Sequence, residues 1–361
     1  MSEVQRVLIM AGGTGGHVVP ALSLAKALGE RGVSVEWLGS PRGIENRLVP
    51  AAGIVLNRID VAGLRGNGLA GWLSVPWRLT RAIWQSRKVI RRFDPQLVVG
   101  LGGFASGPGG LAARLSGKPL VVHEQNAVAG LTNRSLARLA TRVYAAFPGA
   151  FPVGKAEVVG NPVREDIAAL GERPRTAEEM ANRALRLLVL GGSLGAQSLN
   201  QKLPVALAAL EPSRRPQVRH QAGRDKDEDT REAYRVAGVE AEVSAFIDDM
   251  AAAYDWADII VCRAGALTIA ELTAAAKPSL LVPFPHAVDD HQTHNARHLV
   301  EAGGAELIQQ AELTPERLQA ALESLLQPDV LAQMAVQARR VAHLDAVERL
   351  VDGCMEIGFE R

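Results

Sequence analysis

One pattern occurs twice in this chain, and it constrains the fold more than any other feature. Near the start the sequence reads RVLIMAGGTGGH, Arg6 to His17, and in the middle it reads RLLVLGGSLGAQ, Arg186 to Gln197. Each copy is a basic residue, a short continuous apolar run, a glycine loop and then a helical pattern. A continuous apolar run bounded by glycine predicts a buried parallel strand. A glycine loop between such a strand and a helix predicts the first βα turn of a Rossmann half. Two copies predict an α/β chain of two Rossmann-like domains, and 361 residues suit two cores better than one.

The remaining apolar runs fit that plan. Strands are predicted at Val33–Leu38, Ile54–Ile59, Leu97–Gly100, Leu120–His123 and Arg142–Ala145, with helical patterns between them. In the second half they are predicted at Leu187–Leu190, Val218–His220, Ile259–Cys262, Leu280–Val282 and Ala305–Ile308. The boundary is expected near Asn161–Arg164, giving domains 1–163 and 164–361. Gly171–Arg183 is polar and reads as a surface connection. From Leu331 onward the pattern is helical throughout and free of proline, and this end of the chain can pack back across the first domain.

Composition excludes several classes. The net charge is only +1, so no global field draws the chain to nucleic acid. Cys262 and Cys354 are too few for a disulfide framework and suit a reducing cytosol. The apolar run ending at Met10 is too short for a signal peptide, and no run reaches the roughly 18 residues that span a bilayer.

The glycine loops point to a phosphorylated ligand. In Gly12-Gly13-Thr14-Gly15-Gly16 the missing side chains let main-chain amides approach a phosphate or a sugar, and the helix that follows adds partial positive charge. Gly191-Gly192-Ser193-Leu194-Gly195 repeats this, with the Ser193 hydroxyl as a further donor. A third loop runs from Gly100 to Gly110. Neither repeat is a Walker loop, since no Lys-Ser/Thr follows, and GGTGG is compressed relative to a dinucleotide fingerprint. Three such loops suit a large ligand with a diphosphate.

A second anion site is predicted at the helix after Ile259–Cys262. Its first turn, Ala266-Leu267-Thr268, offers main-chain amides to a diphosphate, with Ile269 and Ala270 following. Glu271 lies one turn on, where a carboxylate can accept from ribose hydroxyls; the alternative is an ordinary solvated helix glutamate. Asp289-Asp290-His291-Gln292 and Asn295 follow the strand Leu280–Val282 and can read sugar hydroxyls. Asp227-Glu228-Asp229 spells a metal-binding triplet but lies in a charged run that reads as a solvated helix start. No metal and no cofactor is expected.

On the other side, His17 opens the first helix and is a candidate proton acceptor for an attacking hydroxyl. The alternative is a first-turn histidine that only bonds a neighbouring loop. His123-Glu124-Gln125-Asn126 ends another strand, at the ligand edge of an open α/β sheet, where Glu124 can orient a base or bind acceptor hydroxyls.

From Val61 to Phe93 there is no acidic residue, while Arg65, Arg78, Arg81, Arg87, Lys88, Arg91 and Arg92 all fall there. A helix from Pro76 has Leu79, Ala82, Ile83, Val89, Ile90 and Phe93 on its core stripe. Trp77, Arg81, Trp84 and Lys88 fall on the opposite face and suit an anionic membrane surface. The alternative is a solvated basic face with the tryptophans packed on a loop.

With these residues in hand, the chain resembles the MurG-type N-acetylglucosaminyltransferases of bacterial peptidoglycan synthesis. GGTGGHVVPAL, SGPGGLAA, HEQN, GNPVR, GGSLGAQ, FIDDM, RAGALTIAEL and DDHQ carry the likeness, in the family's order, from Gly12 to Gln292. The resemblance implies a GT-B fold, two Rossmann domains across a cleft. It implies inverting transfer of N-acetylglucosamine from its UDP form to the 4-hydroxyl of the muramic acid sugar of lipid I, giving lipid II and UDP.

By the same resemblance Thr14, Gly15, Gly16, Asn126, Arg164, Ser193, Ile247, Ala266 to Glu271 and Gln292 match donor-binding positions. Ile247 would present its backbone to uracil, Gln292 would read the sugar, and His17 matches the candidate base. His291 departs from members that carry a second glutamine there. The implied location is peripheral, on the cytoplasmic side of the cell inner membrane, with candidate partners among cell-wall synthesis and division proteins. Two other classes remain: a UDP-N-acetylglucosamine 2-epimerase on the same fold, and a non-catalytic nucleotide-sugar sensor.

Overall fold

The apolar runs that open each glycine loop fold as central strands covered on both faces. The computed structural model describes residues 4–61, 69–192 and 195–359. The chain divides into two compact units, one of residues 1–162 with 344–361 and one of Val163–His343.

The first unit holds strands β1 Arg6–Met10, β2 Ser34–Gly39, β3 Val55–Arg58, β4 Leu97–Gly100, β5 Leu120–Glu124, β6 Arg142–Ala145 and β7 Glu157–Val158. Its helices are α1 Gly15–Glu30, α2 Glu45–Ala51, α3 Leu69–Phe93, α4 Ser106–Leu115 and α5 Leu131–Leu136. The strands form one parallel sheet in the order β3-β2-β1-β4-β5-β6-β7. Along β1 the side chains alternate: Val7 and Ile9 join a core with α1, while Leu8 and Met10 join one with α3 and α4. Every one of the four is fully buried, worth about 1.5–3 kcal/mol each against exposure.

The second unit begins with α6 Glu165–Leu170 and α7 Ala177–Ala181. Strands β8 Arg186–Leu190, β9 Gln217–Gln221, β10 Glu242–Ser244, β11 Ile259–Cys262, β12 Ser279–Leu281 and β13 Ala305–Leu307 form its parallel sheet, in the order β10-β9-β8-β11-β12-β13. Between and after them come α8 Gln197–Ala208, α9 Asp227–Ala237, α10 Met250–Trp256, α11 Ala266–Ala274, α12 His291–Glu301, α13 Pro315–Leu325 and α14 Pro328–Arg340. In both sheets the order reverses beside the first strand, which places a ligand crevice at β1/β4 and at β8/β11.

The last helix, α15 Ala346–Phe359, lies in the first unit, where Leu350, Val351, Cys354 and Ile357 are buried against the core of β1 and α1. The helical pattern expected without a break from Leu331 is interrupted at 341–345, between α14 and α15. No proline marks the break; it falls where the chain leaves one unit for the other.

Other expectations are corrected in detail. The polar connection Gly171–Arg183 contains α7, started by a capping box in which Thr176 and Glu179 bond each other's main chain. The third glycine loop is two different things. Gly102 and Gly103 form a turn with φ of +103° and +86°, whereas Gly107, Gly109 and Gly110 lie inside α4. There the glycines serve packing: a Cβ on Gly109 would lie 2.3 Å from Met10 Sδ. The helix expected from Pro76 begins earlier, at Leu69, with Pro76 inside it, and Leu79 is 45% exposed rather than in the core stripe.

Candidate functional site

In the first unit the crevice is built from the ends of β1, β4 and β5. Thr14 takes the N-cap position of α1 without a side-chain bond, so Gly15, Gly16 and His17 form an uncapped first turn. The loop before it is braced from behind. Glu45, fully buried, accepts from Gly13 N at 3.0 Å, Ser40 N at 3.2 Å and Ser40 Oγ at 2.7 Å. A Cβ on Gly12 would lie 2.7 Å from its Oε1, so glycine is needed for this approach. From β4, Gly103 crosses the first loop so closely that a Cβ would lie 2.4 Å from Gly12 O.

His17 is half-buried under Gly102, and its Nδ1 lies 2.9 Å from Gln125 Oε1. Gln125 in turn contacts His123, whose other ring nitrogen lies 2.9 Å from Gly160 O. Burial pushes the His123 imidazole down to about 4. Glu124 is 2% exposed and accepts from Asn126 N, Asn126 Nδ2, Gly130 N and Asn133 Nδ2 at 2.9–3.3 Å. Its oxygens are therefore spent on holding the loop that carries Asn126.

In the second unit the loop after β8 is braced differently. Gln221 accepts from Gly192 N at 2.9 Å and donates to Gly192 O and Ala245 O, each at 3.0 Å. Ser193 lies outside the described residues. α11 starts at Gly265, which holds the N-cap position without a side-chain cap; its carbonyl accepts from Ile269 N at 2.9 Å. The amides of the first turn, Ala266 to Thr268, precede that first intrahelical bond and lie at the positive end of the helix dipole.

Glu271 is 9% exposed, so the solvated alternative fails. Burial pushes its carboxyl up to about 7, partly offset by the Tyr254 hydroxyl that donates at 3.0 Å and by the charge of Arg164. Arg164 is the N-cap residue of α6. Gln292 Oε1 accepts from Ala264 N and Phe284 N, and Asn295 Nδ2 donates to Ala264 O, so α12 clamps the end of β11 through both polar groups of one residue. Ile247 is half-buried between β10 and α10. Asp227, Glu228 and Asp229 form the first turn of α9, where negative charge suits the helix dipole.

The structure thus gathers Arg164, Glu271 and Tyr254 at one place, and Gln292 at the β11 end from which α11 starts. Thr14, Gly15, Gly16, His17, Glu124 and Asn126 belong to the first unit. Sequence reasoning missed Glu45, Gln221 and Tyr254: each acts by what it reaches on another element of the fold, and none belongs to a local pattern. Arg263, the first residue of the RAGALTIAEL motif, joins three loops by donating to Val282 O, Pro283 O and Gln310 Oε1.

On α3, Trp77 is 73% and Trp84 65% exposed, which overturns the alternative of tryptophans packed on a loop. Lys88 is exposed too. Arg81 pairs with Asp60 at 2.8 Å and Arg92 with Glu36, so part of the positive charge is neutralised within the unit. No helix among the described residues is long and apolar enough to cross a membrane.

The glycosyltransferase family 28 N-terminal domain matches residues 7–145, and that family's C-terminal domain matches residues 186–350. The chain belongs to glycosyltransferase family 28. A family member from Chromohalobacter salexigens is 75% identical over 98% of this chain and 97% of its own length. It is a UDP-N-acetylglucosamine–N-acetylmuramyl-(pentapeptide) pyrophosphoryl-undecaprenol N-acetylglucosamine transferase. A transferase of the same name from Stutzerimonas stutzeri is 56% identical over 97% of this chain and 98% of its own. The crystal structure of Acinetobacter baumannii MurG is 42% identical and superposes with a TM-score of 0.84, covering 98% of this chain and 99% of that one. These relatives bear out the likeness drawn from the motifs, and with the two parallel sheets they show the GT-B fold. A UDP-GlcNAc 2-epimerase from Neisseria meningitidis, 14% identical with a TM-score of 0.69 over 99% of this chain and 100% of that one, shares the fold alone.

Proposed function

We infer that this chain is an inverting transferase that moves N-acetylglucosamine from UDP-N-acetylglucosamine to the 4-hydroxyl of the muramic acid sugar of lipid I, giving lipid II and UDP. The 75% identity over 98% of the chain to a transferase of that name carries the reading. In the reaction the acceptor oxygen bonds to the anomeric carbon, the bond to UDP breaks with its electron pair, and the hydroxyl proton needs an acceptor.

His17 is assigned that proton; its place at an uncapped helix start in a switch-point crevice supports this. The α11 amides of Ala266, Leu267 and Thr268 are assigned the departing diphosphate, with Ile269 and Ala270 in the same turns. Glu271 is assigned the ribose hydroxyls, Ile247 the uracil, Gln292 the sugar, and Arg164 and Ser193 the remaining donor contacts. Thr14, Gly15, Gly16 and Asn126 are assigned hydroxyl contacts in the first unit. The spent oxygens of Glu124 support a role in holding Asn126 rather than in taking a proton.

The test is incubation with UDP-N-acetylglucosamine in the presence and absence of lipid I. UDP release that depends on lipid I, with lipid II formed, is expected. Epimer formed without lipid would overturn the assignment in favour of the epimerase class.

Peripheral membrane binding is part of the same reading, supported by Trp77, Trp84 and Lys88 on the outer face of α3. Replacing both tryptophans by alanine is expected to release the protein from sedimenting anionic vesicles while lipid-free UDP binding stays unchanged. Vesicle binding that survives both substitutions and high salt would remove α3 from the membrane.

A further inference from the structure

The chain of hydrogen bonds behind His17 can be assigned proton by proton, beginning from a main-chain carbonyl. His123 Nε2 lies 2.9 Å from Gly160 O. A carbonyl only accepts, so this nitrogen carries a hydrogen. The ring is buried and neutral at ordinary pH, which leaves its Nδ1 a bare acceptor. Gln125 Nε2 lies 3.1 Å from that Nδ1 and 3.2 Å from His123 O. Two acceptors at one end of the amide require the NH2 group there. Gln125 Oε1 then faces His17 Nδ1 at 2.9 Å and can only accept from it. His17 must donate through Nδ1–H, and in its neutral form Nε2 is bare.

Each link is held in place. Gln125 is 1% exposed, and its own carbonyl accepts from Asn161 Nδ2 at 3.0 Å. The main chain of Gly102 lies over the His17 ring, where a Cβ would come within 2.8 Å of Nδ1. A histidine free in water favours the opposite tautomer, with hydrogen on Nε2, so this arrangement has to be imposed.

We propose that Gln125, steadied by His123 and Asn161, is a positioning residue that locks His17 as the Nδ1–H tautomer and turns the Nε2 lone pair toward the incoming hydroxyl. The proposal rests on the reading of His17 as the proton acceptor. The acceptor's O–H breaks as its oxygen bonds to the anomeric carbon; the proton goes to Nε2 and the electron pair of the broken glycosyl bond leaves with UDP. The partner is a neutral carboxamide, whose Oε1 goes on accepting from Nδ1–H while Nε2 takes the proton.

The tautomer can be read directly by long-range proton–nitrogen correlation NMR on the full chain labelled at histidine, with the His17 signals identified by their loss in His17→Gln. A protonated Nδ1 and a bare Nε2 are expected in the unaltered protein. In Gln125→Leu the signals should move to the Nε2–H or averaged pattern, and kcat should fall about ten- to hundred-fold with the KM for UDP-N-acetylglucosamine within about twofold, since a histidine in the wrong tautomer cannot take the proton. An Nε2–H pattern in the unaltered protein overturns the proposal by itself, even if Gln125→Leu fails to fold. So does an Nδ1–H pattern that persists in Gln125→Leu. Full transfer by His17→Gln with the Nδ1–H pattern intact in the parent would instead remove His17 as the base, and the two failures are thereby told apart.

Discussion

The two glycine loops have nearly the same sequence pattern and different electrostatic backing. In the first unit the amide of Gly13 is taken by the buried carboxylate of Glu45. In the second the amide of Gly192 is taken by the carboxamide of Gln221. A carboxylate fixed directly behind a loop repels an incoming phosphate, whereas a neutral amide does not. One strand–loop–helix unit used twice thus carries two different backings, and we propose that the difference serves two tasks. On the assignments above, the first loop leads to the proton acceptor His17, and the second lies on the side that takes the donor.

The strongest way to break this comparison is His17→Ala. If the first loop serves proton transfer, kcat should fall about 10²- to 10⁴-fold while donor binding is kept. Steady-state kinetics with lipid I, beside calorimetric binding of UDP, separates the two. A loss of UDP binding equal to the loss of kcat would mean that both loops serve the donor.

Gln221→Glu exchanges one backing for the other. It places negative charge behind the second loop and against Gly192 O and Ala245 O, to which Gln221 now donates. The KM for UDP-N-acetylglucosamine should rise about ten- to hundred-fold, less than the full interaction of two charges at contact because the loop intervenes. The reverse exchange, Glu45→Gln, removes a charged acceptor from Gly13 and Ser40 and sets an NH2 against their donors. A loss of about 1–3 kcal/mol in unfolding free energy is expected, with donor KM unchanged. A rise in donor KM in Glu45→Gln comparable with that of Gln221→Glu would erase the difference between the loops.

Much of this frame could be read from the residues. β4, β6 and β11 match their expected ranges, because continuous apolar runs buried on both faces leave little freedom in register. β7 and β10 were not anticipated: they are two- and three-residue edge strands with exposed or half-exposed side chains and no apolar run to mark them. His17, Glu271 and the α11 turn stood out by position after a strand. The backing residues did not, since Glu45 and Gln221 reach the loops from other strands or helices, and only the folded sheet brings them together. Glu124 illustrates a related limit of sequence: a polar residue at a strand end can face the crevice or tie its own loop, and only the fold shows its bonds to Asn126, Gly130 and Asn133.

The subtlest expected effect concerns Glu271, which works beside the second loop. Burial raises its carboxyl to about 7 from 4.5. Its folded pKa lies above its unfolded one, so its contribution to stability is full below about 4.5 and is lost as pH rises through about 7. Nucleotide binding should respond in the opposite sense. Ribose hydroxyls that donate to Glu271 favour the carboxylate, so binding draws the proton off, and affinity for UDP-N-acetylglucosamine should rise a few-fold between about pH 6 and about pH 8. The sugar nucleotide is the right probe, since its diphosphate, esterified at both ends, does not titrate in that window. Glu271→Gln should flatten the profile at the weaker end. A profile for the unaltered protein as flat as that of the variant, by calorimetry at several pH values, would take the carboxylate off the ribose and leave the donor site resting on the α11 amides and Gln292.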